Sequence, residues 1–201
     1  YRNIMFALVD KSDNSITKMF SGKKGVDIGD NRYSAQIFSI WTEAERNAIN
    51  IYEVEMDTSK RKDEKWYINT NVTYSFGSGK VTGSYGDATA RAHADTNKKD
   101  EDGNDLDPVV VILGLKSQLI SDVKATAANE LNKTDWYVVR KTEESTAIPS
   151  AVTTHRRAVR SKAAAMETSI TNASDTPALE TLYTSVDGDE RPIGYIPVKN
   201  F

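Results

Sequence analysis

The hydrophobic and polar positions of this chain follow two different rhythms, and the change between them falls near residues 87–107. Before that segment, apolar and polar residues alternate in short runs, which is typical of half-buried β-strands. After it, apolar residues recur at steps of three and four, which is typical of amphipathic helices. The pattern predicts an α+β protein, with a small N-terminal antiparallel β domain that contains one short helix, followed by a C-terminal α-helical hairpin.

The β-like half contains several short predicted elements. Alternating runs at Asn3–Val9 and Ile16–Phe20 flank a segment rich in turn formers, as in a β-hairpin with a longer loop. Thr42 and Glu45 have the spacing of a capping box, which predicts the beginning of a short helix. Further strands are predicted at 66–69, 72–76 and 80–85. We expect these elements to form one domain over residues 1–86.

Residues 87–107 carry Gly, Asp, Asn and Lys with almost no bulky apolar side chain, which favours an acidic linker or an exposed loop. The run from Asp100 to Asp105 is similar to a calcium-binding loop. However, the EF-hand spacing before Gly103 would place Lys98 at the first ligand position, and an ammonium group cannot bind calcium. We therefore expect no metal site in this segment.

Two long helices and one short helix are predicted after the linker. Helical spacing begins near Pro108 and produces one stripe of apolar residues: Ile112, Leu115, Leu119, Val123, Ala127 and Leu131. A second stripe between Pro149 and about Asn172 has heptad-like spacing: Val152, Val159, Ala163, Met166, Ile170 and Ala173. A short helix begins at Thr176. The elements predict a helical hairpin over residues 108–185 and an extended tail over residues 186–201.

The connection between the two long helices contains Trp136 and Arg140. Thr134 is expected to cap a brief helix there, although the run Tyr137–Val139 is equally compatible with a short strand. We expect Trp136 to be buried between helix ends as an anchor, and Arg140 to bind carbonyl groups at a helix end. A group of basic residues on the second helix is expected to form a solvated face: His155, Arg156, Arg157, Arg160 and Lys162.

The second helix also suggests a surface for self-association. Two helices alone bury too little surface for a stable core, so a neighbouring chain is expected to supply a further layer. The predicted assembly interface consists of Trp136, Arg140, Val152, Val159, Ala163, Met166 and Ile170. Under this hypothesis, aspartate in place of Val159 and Met166 would dissociate an oligomer.

Composition and motifs argue against several classes of function. The net charge of −3 is unlike that of a dedicated nucleic-acid-binding protein, and the chain has no cysteine and only two histidines. The sequence contains no phosphate-binding glycine loop, no nucleophile elbow, no H-E-x-x-H motif and no apolar run of transmembrane length. We therefore expect a protein that is not an enzyme and has no cofactor, no nucleic-acid partner and no membrane insertion.

Four segments resemble small tail-associated proteins of bacteriophages and prophages. Thr134–Arg140 matches a T-D-W-x-x-x-R segment, and Arg156–Arg160 matches an R-x-x-[VL]-R helix. Phe38–Arg46 matches an F-S-x-W-[ST]-x-x-E-[LR] helix, and Ile51–Val54 matches an I-Y-x-V strand. These motifs are moderately specific, and the resemblance extends over most of the chain.

The resemblance spans roughly residues 4–85 and 110–184, and the chain departs from it in the acidic insert 95–107 and in the strand-like tail Pro192–Phe201. It implies a structural protein of the phage tail or baseplate, of the tail-fibre connector or hinge type, made in the bacterial host cytoplasm. Its partners would be other tail proteins and further copies of itself, a trimer being common among fibre-linked proteins. Two alternatives stay open, a tail-fibre assembly chaperone absent from the mature virion and a host-glycan-binding module with exposed tyrosines.

Overall fold

The computed structural model describes residues 4–185 and 190–201 and divides the chain into two compact units, Tyr1–Thr89 and Ala90–Phe201. The first unit is built mainly from strands and the second mainly from helices, which confirms the predicted α+β class. The first residue of the predicted N-terminal strand, Asn3, lies outside the described residues. So do residues 186–189, with which the predicted tail begins.

In residues 4–88, the first unit contains eight strands and one short α-helix: β1 (Phe6–Asp10), β2 (Ser15–Phe20), β3 (Val26–Ile28), β4 (Asn31–Tyr33), α1 (Glu43–Ala48), β5 (Ile51–Asp57), β6 (Tyr67–Ile68), β7 (Val72–Gly77) and β8 (Lys80–Tyr85). A 3₁₀ turn precedes α1 at Ala35–Phe38, and the two-residue strand β9 (Thr89–Ala90) lies at the unit boundary. Five strands form one sheet in the order β2-β1-β5-β8-β7. Because β8 returns beside β5 in the same direction, that pair is parallel and the sheet is mixed, not wholly antiparallel as predicted.

The central strands of this sheet are covered on both faces. Side chains alternate along β1, so Phe6 packs with Ile51 on one face while Ala7 packs with Tyr52 on the other. The predicted capping box is present at the start of α1. Thr42 Oγ1 accepts a hydrogen bond from the Glu45 N–H at 3.3 Å, and Glu45 Oε2 accepts one from the Thr42 N–H at 2.7 Å.

The described part of the second unit contains one hairpin and four helices: β10 (Thr96–Asn97), β11 (Val111–Ile112), α2 (Leu115–Asn132), α3 (Asp135–Glu144), α4 (Ser150–Asn172) and α5 (Thr176–Tyr183). Helices α2 and α4 pack against each other in antiparallel directions, since Lys116 Nζ contacts the Thr171 carbonyl while Glu130 contacts His155. The predicted second long helix and the predicted short C-terminal helix are confirmed.

The helix α2 begins seven residues later than the Pro108 start predicted from the sequence, because residues 111–112 pair with β10. Ile112, assigned to the apolar stripe, therefore lies on an exposed strand. Asp95 fixes the true beginning of the helix, since its Oδ1 accepts a hydrogen bond from the Gly114 N–H at 2.8 Å. Residues 90–107, predicted as a linker, thus belong to the helical unit.

The stripe predicted as an assembly interface lies inside a single chain. Its members on α4 are all buried in the monomer: Val152, Val159, Ala163, Met166 and Ile170. They lie opposite the buried stripe of α2, which consists of Leu115, Leu119, Val123 and Ala127. Leu179 of α5 and Ile193 and Ile196 of the tail are buried as well. These elements of the same chain supply the layer that the sequence assigned to a neighbouring molecule.

Candidate protein–protein interface

Four of the buried polar side chains described in the helical unit lie together and form the buried polar cluster: Glu130, Thr134, His155 and Arg156. Arg156 joins two helix ends. Its Nη1 donates to the Leu131 carbonyl at 2.8 Å and to Thr134 Oγ1 at 2.7 Å, and it forms an ion pair with Asp135 Oδ1, which lies 2.8 Å away. Since Leu131 lies in the last turn of α2 and Asp135 begins α3, this guanidinium fixes the corner between the two helices.

The prediction of a solvated basic face was wrong for His155 and Arg156, which are both buried, while Arg157 and Arg160 are exposed as expected. The reason is their position in α4. Three- and four-residue steps from Val152 lead to His155 and Arg156, which places both on the buried side of the helix.

Glu130 is the second centre of the cluster. Burial alone would raise the pKa of the Glu130 carboxyl group, but hydrogen bonds from Lys133, from the Lys199 backbone N–H and from His155 outweigh that effect and lower the pKa to about 2. The donor atoms lie 2.5 Å (Lys133 Nζ), 2.9 Å (Lys199 N) and 2.9 Å (His155 Nε2) from the carboxylate. Glu130 is therefore ionised at neutral pH and joins α2, α4 and the tail.

The described part of the tail, residues 190–201, packs against the helical unit next to Glu130 and His155. It forms neither a helix nor a strand there. Ile193 donates its N–H to the Leu182 carbonyl at 2.9 Å. Phe201 places its ring 5.1 Å from the His155 ring, measured between centroids. The tail thus covers the buried polar cluster, although the sequence pattern showed it only as a strand-like extension.

Helix α3 differs from the other long helices because none of its residues is fully buried. The structure shows a helix and not a strand at this position, but it contradicts the predicted burial of Trp136, whose side chain is 50% exposed. Thr134 does not cap α3 with its side chain either, since its hydroxyl donates to the Leu131 carbonyl at 3.0 Å. Arg156 and Thr134 already fix the corner, so the indole is free to face outward.

One side of α3 carries two exposed side chains, Trp136 and Val139, and two half-buried ones, Tyr137 and Arg140, and we call these four the α3 patch. The Trp136 and Tyr137 rings lie 3.8 Å apart between centroids, and the Arg140 guanidinium lies 4.7 Å from the Trp136 centroid. Val139 is 52% exposed. Within the described part of the chain, Arg140 forms no hydrogen bond or ion pair, and its Nε is buried without a partner. Arg156, not Arg140, binds the helix-end carbonyl.

The described residues offer few features for other kinds of site. No helix in residues 4–185 or 190–201 has the length and apolar character needed to cross a membrane. In the same ranges, no group of three or more His, Cys, Asp or Glu side chains is arranged to hold a metal ion. Of the tyrosines described in the first unit, Tyr52 and Tyr67 are buried, and Tyr33, Tyr74 and Tyr85 are partly buried.

Comparison with family models, with curated proteins and with solved structures found no match to this chain. The resemblance to phage tail proteins accordingly depends on the motifs in the sequence, one of which contains both Trp136 and Arg140 of the α3 patch.

Proposed function

We propose that this chain is a structural protein of a bacteriophage tail or baseplate, a tail-fibre connector that joins other virion proteins and is not an enzyme. The observation that supports the proposal most is the α3 patch. Tryptophan, tyrosine and arginine are the residues most enriched at the energetic centres of protein–protein interfaces. Here all three are stacked on a helix that has no fully buried residue.

The geometry of the patch also indicates the chemistry of its partner. An apolar side chain of the partner would cover Trp136 and Val139, and a carboxylate would accept the unused donors of Arg140. The buried polar cluster supports the same architectural function. Its side chains have hydrogen-bond partners within the chain and hold α3 at a fixed angle, which presents the patch in one orientation.

Particle composition tests the proposal directly. Virions of the phage that encodes this chain are purified, and their proteins are quantified by mass spectrometry against the major tail protein. We expect this chain at a fixed stoichiometry. Its absence from virions, with abundance in the infected lysate, would overturn the connector proposal and indicate the assembly chaperone.

A matched pair of charge reversals tests the α3 patch. Arg140→Glu and Lys141→Glu make the same change in charge at neighbouring positions of α3, but only Arg140 stacks on the Trp136 ring. We expect Arg140→Glu to reduce incorporation into particles at least tenfold, while Lys141→Glu incorporates normally. Equal incorporation of the two variants would show that the patch is not the docking surface.

A further inference from the structure

Five consecutive aliphatic residues of the helical unit are exposed: Val109, Val110, Val111, Ile112 and Leu113. Their side chains are between 45% and 58% exposed, on both faces of one extended segment. Folded proteins usually interrupt such an edge with charges or proline, because it pairs readily with other strands. Here Pro108 and Gly114 stand only at its ends, and we call these five residues the 109–113 edge.

One side of this segment has open backbone groups. Antiparallel pairing to β10 matches Thr96 with Ile112, and the Lys98 N–H donates to the Val110 carbonyl at 2.7 Å. Because backbone groups alternate along a strand, those of Val110 and Ile112 face β10 while those of Val111 face away. β11 has no second neighbouring strand in the described part of the chain, so Val111 has no strand partner on that side.

The hairpin that carries this edge is fixed to the helical unit at its base. Asp95 accepts hydrogen bonds from the Gly114 N–H and from Ser117 Oγ, both at 2.8 Å. The Leu115 N–H donates to the Ala92 carbonyl at 3.0 Å. The aliphatic edge is therefore held in place by the start of α2 and does not need a partner to become ordered.

We propose that a second copy of this chain pairs with the 109–113 edge, strand against strand in the antiparallel direction, about a two-fold axis at Val111. This register pairs Val111 with Val111 of the second copy, and Val109 with Leu113. These odd-numbered residues are the ones whose backbone groups face away from β10. The Leu113 carbonyl, which accepts from Gln118 Nε2 at 2.9 Å, retains a second lone pair.

Side chains and charges favour the same arrangement. The two-fold register pairs Val110 with Ile112 of the second copy on one face of the sheet and Val109 with Leu113 on the other, so each face joins aliphatic side chains. Several acidic residues adjoin the Val109 end: Asp100, Glu101, Asp102, Asp105 and Asp107. The Leu113 end adjoins Lys116, and the Asp95 carboxylate already binds the N-terminus of α2 there. Antiparallel pairing keeps the two acidic segments apart, whereas parallel pairing would place them side by side.

The size of the surface predicts a weak dimer. An aliphatic side chain offers on the order of 100 Å² of apolar area, so five that are half exposed provide roughly 250 Å² per copy. A stable interface takes about 800 Å² from each partner. Association is therefore expected to depend on concentration over an accessible range. This proposal does not depend on the proposed place in the virion.

Sedimentation of the full chain over a concentration series tests the proposal. We expect a monomer–dimer equilibrium whose dissociation constant rises at least tenfold in Val111→Lys, because that variant places a charge at the two-fold axis. Val198→Lys makes the same change at an exposed valine of the tail and should leave the constant unaltered. A chain that is monomeric at every concentration, or a dimer insensitive to Val111→Lys, would overturn the proposal.

A cross-linking experiment tests the register, and the chain lends itself to this because it has no cysteine. Directly opposed residues of a hydrogen-bonded antiparallel pair have Cα atoms about 5.5 Å apart, within the range that a disulfide spans. With oxidised glutathione as the oxidant, we expect Val111→Cys to form a covalent dimer and Val198→Cys to remain monomeric. Equal cross-linking of the two variants would mean that the two-fold axis does not lie at Val111.

Discussion

Replacing Glu130 with glutamine is the sharpest test of how the helical unit is held together. The Glu130→Gln variant keeps the size of the side chain and removes its charge. In the wild-type chain the carboxylate accepts hydrogen bonds from His155, from Lys133 and from the Lys199 backbone. An amide offers only one acceptor oxygen, so at least one of these donors loses its partner.

The pKa of Glu130 sets the expected magnitude and its pH dependence. Burial opposes the charged form, yet the three hydrogen bonds lower the pKa from 4.5 to about 2. One pKa unit corresponds to about 1.4 kcal/mol, so a pKa lowered by about 2.5 means that the ionised carboxylate contributes about 3.5 kcal/mol to the free energy of unfolding at neutral pH. Because the folded-state pKa lies below the unfolded value, this contribution is present above pH 4.5 and is lost as the pH falls towards 2.

Urea unfolding of the full chain, followed by helical circular dichroism, measures this contribution. The signal reports mainly on the helical unit, since α1 of the first unit has only six residues. We expect Glu130→Gln to lower the stability at neutral pH and to approach the wild type in acid. Asp122→Asn neutralises an exposed carboxylate on the same helix and should change little. A Glu130→Gln variant as stable as the wild type at neutral pH, or with an unchanged acid profile, would refute this account.

Three further variants test the corrected roles of residues in the helical unit. Val159→Asp buries a charge in the core and should destabilise the monomer by more than about 3 kcal/mol in urea unfolding, whereas Ala164→Asp on the exposed side of α4 should not. Trp136→Ala should cost less than about 1 kcal/mol by the same measurement, because its ring is half exposed; a larger loss would restore the anchor role. Arg156→Met should lower the free energy of unfolding by about 3 kcal/mol, and Arg157→Met should change it very little. Equal losses of stability in the two variants would contradict the role of Arg156 in joining α2 to α3.

The sequence correctly predicted the elements whose structure depends on interactions between residues that are close together in the chain. The Thr42 capping box needs only neighbouring residues, and it begins α1 as expected. The helix α4 runs from Ser150 to Asn172 because its apolar residues keep helical spacing throughout and proline precedes it. Both features are independent of distant partners, so the sequence alone was sufficient for them.

Elements that depend on tertiary partners were not predicted correctly. The spacing of Ile112 fits the stripe of α2, but β-branched neighbours and the distant strand β10 place it in a hairpin instead. Arg156 was assigned to the surface because of its charge, although its position between Val152 and Val159 indicated the buried side of α4. That conflict between residue type and position was the available signal for the buried polar cluster.

The burial of Trp136 was also predicted wrongly because it depends on tertiary partners, and this correction changes the functional argument. A large aromatic residue at a helix corner is a natural anchor when nothing else fixes the corner. Here Arg156 fixes it by binding the end of α2 and the start of α3. Since Arg156 fixes the corner without the indole, the exposed Trp136 beside Arg140 is compatible with the proposed docking role. A variant that weakens assembly at unchanged stability, as expected for Arg140→Glu, separates these two roles in a way that Arg156→Met cannot.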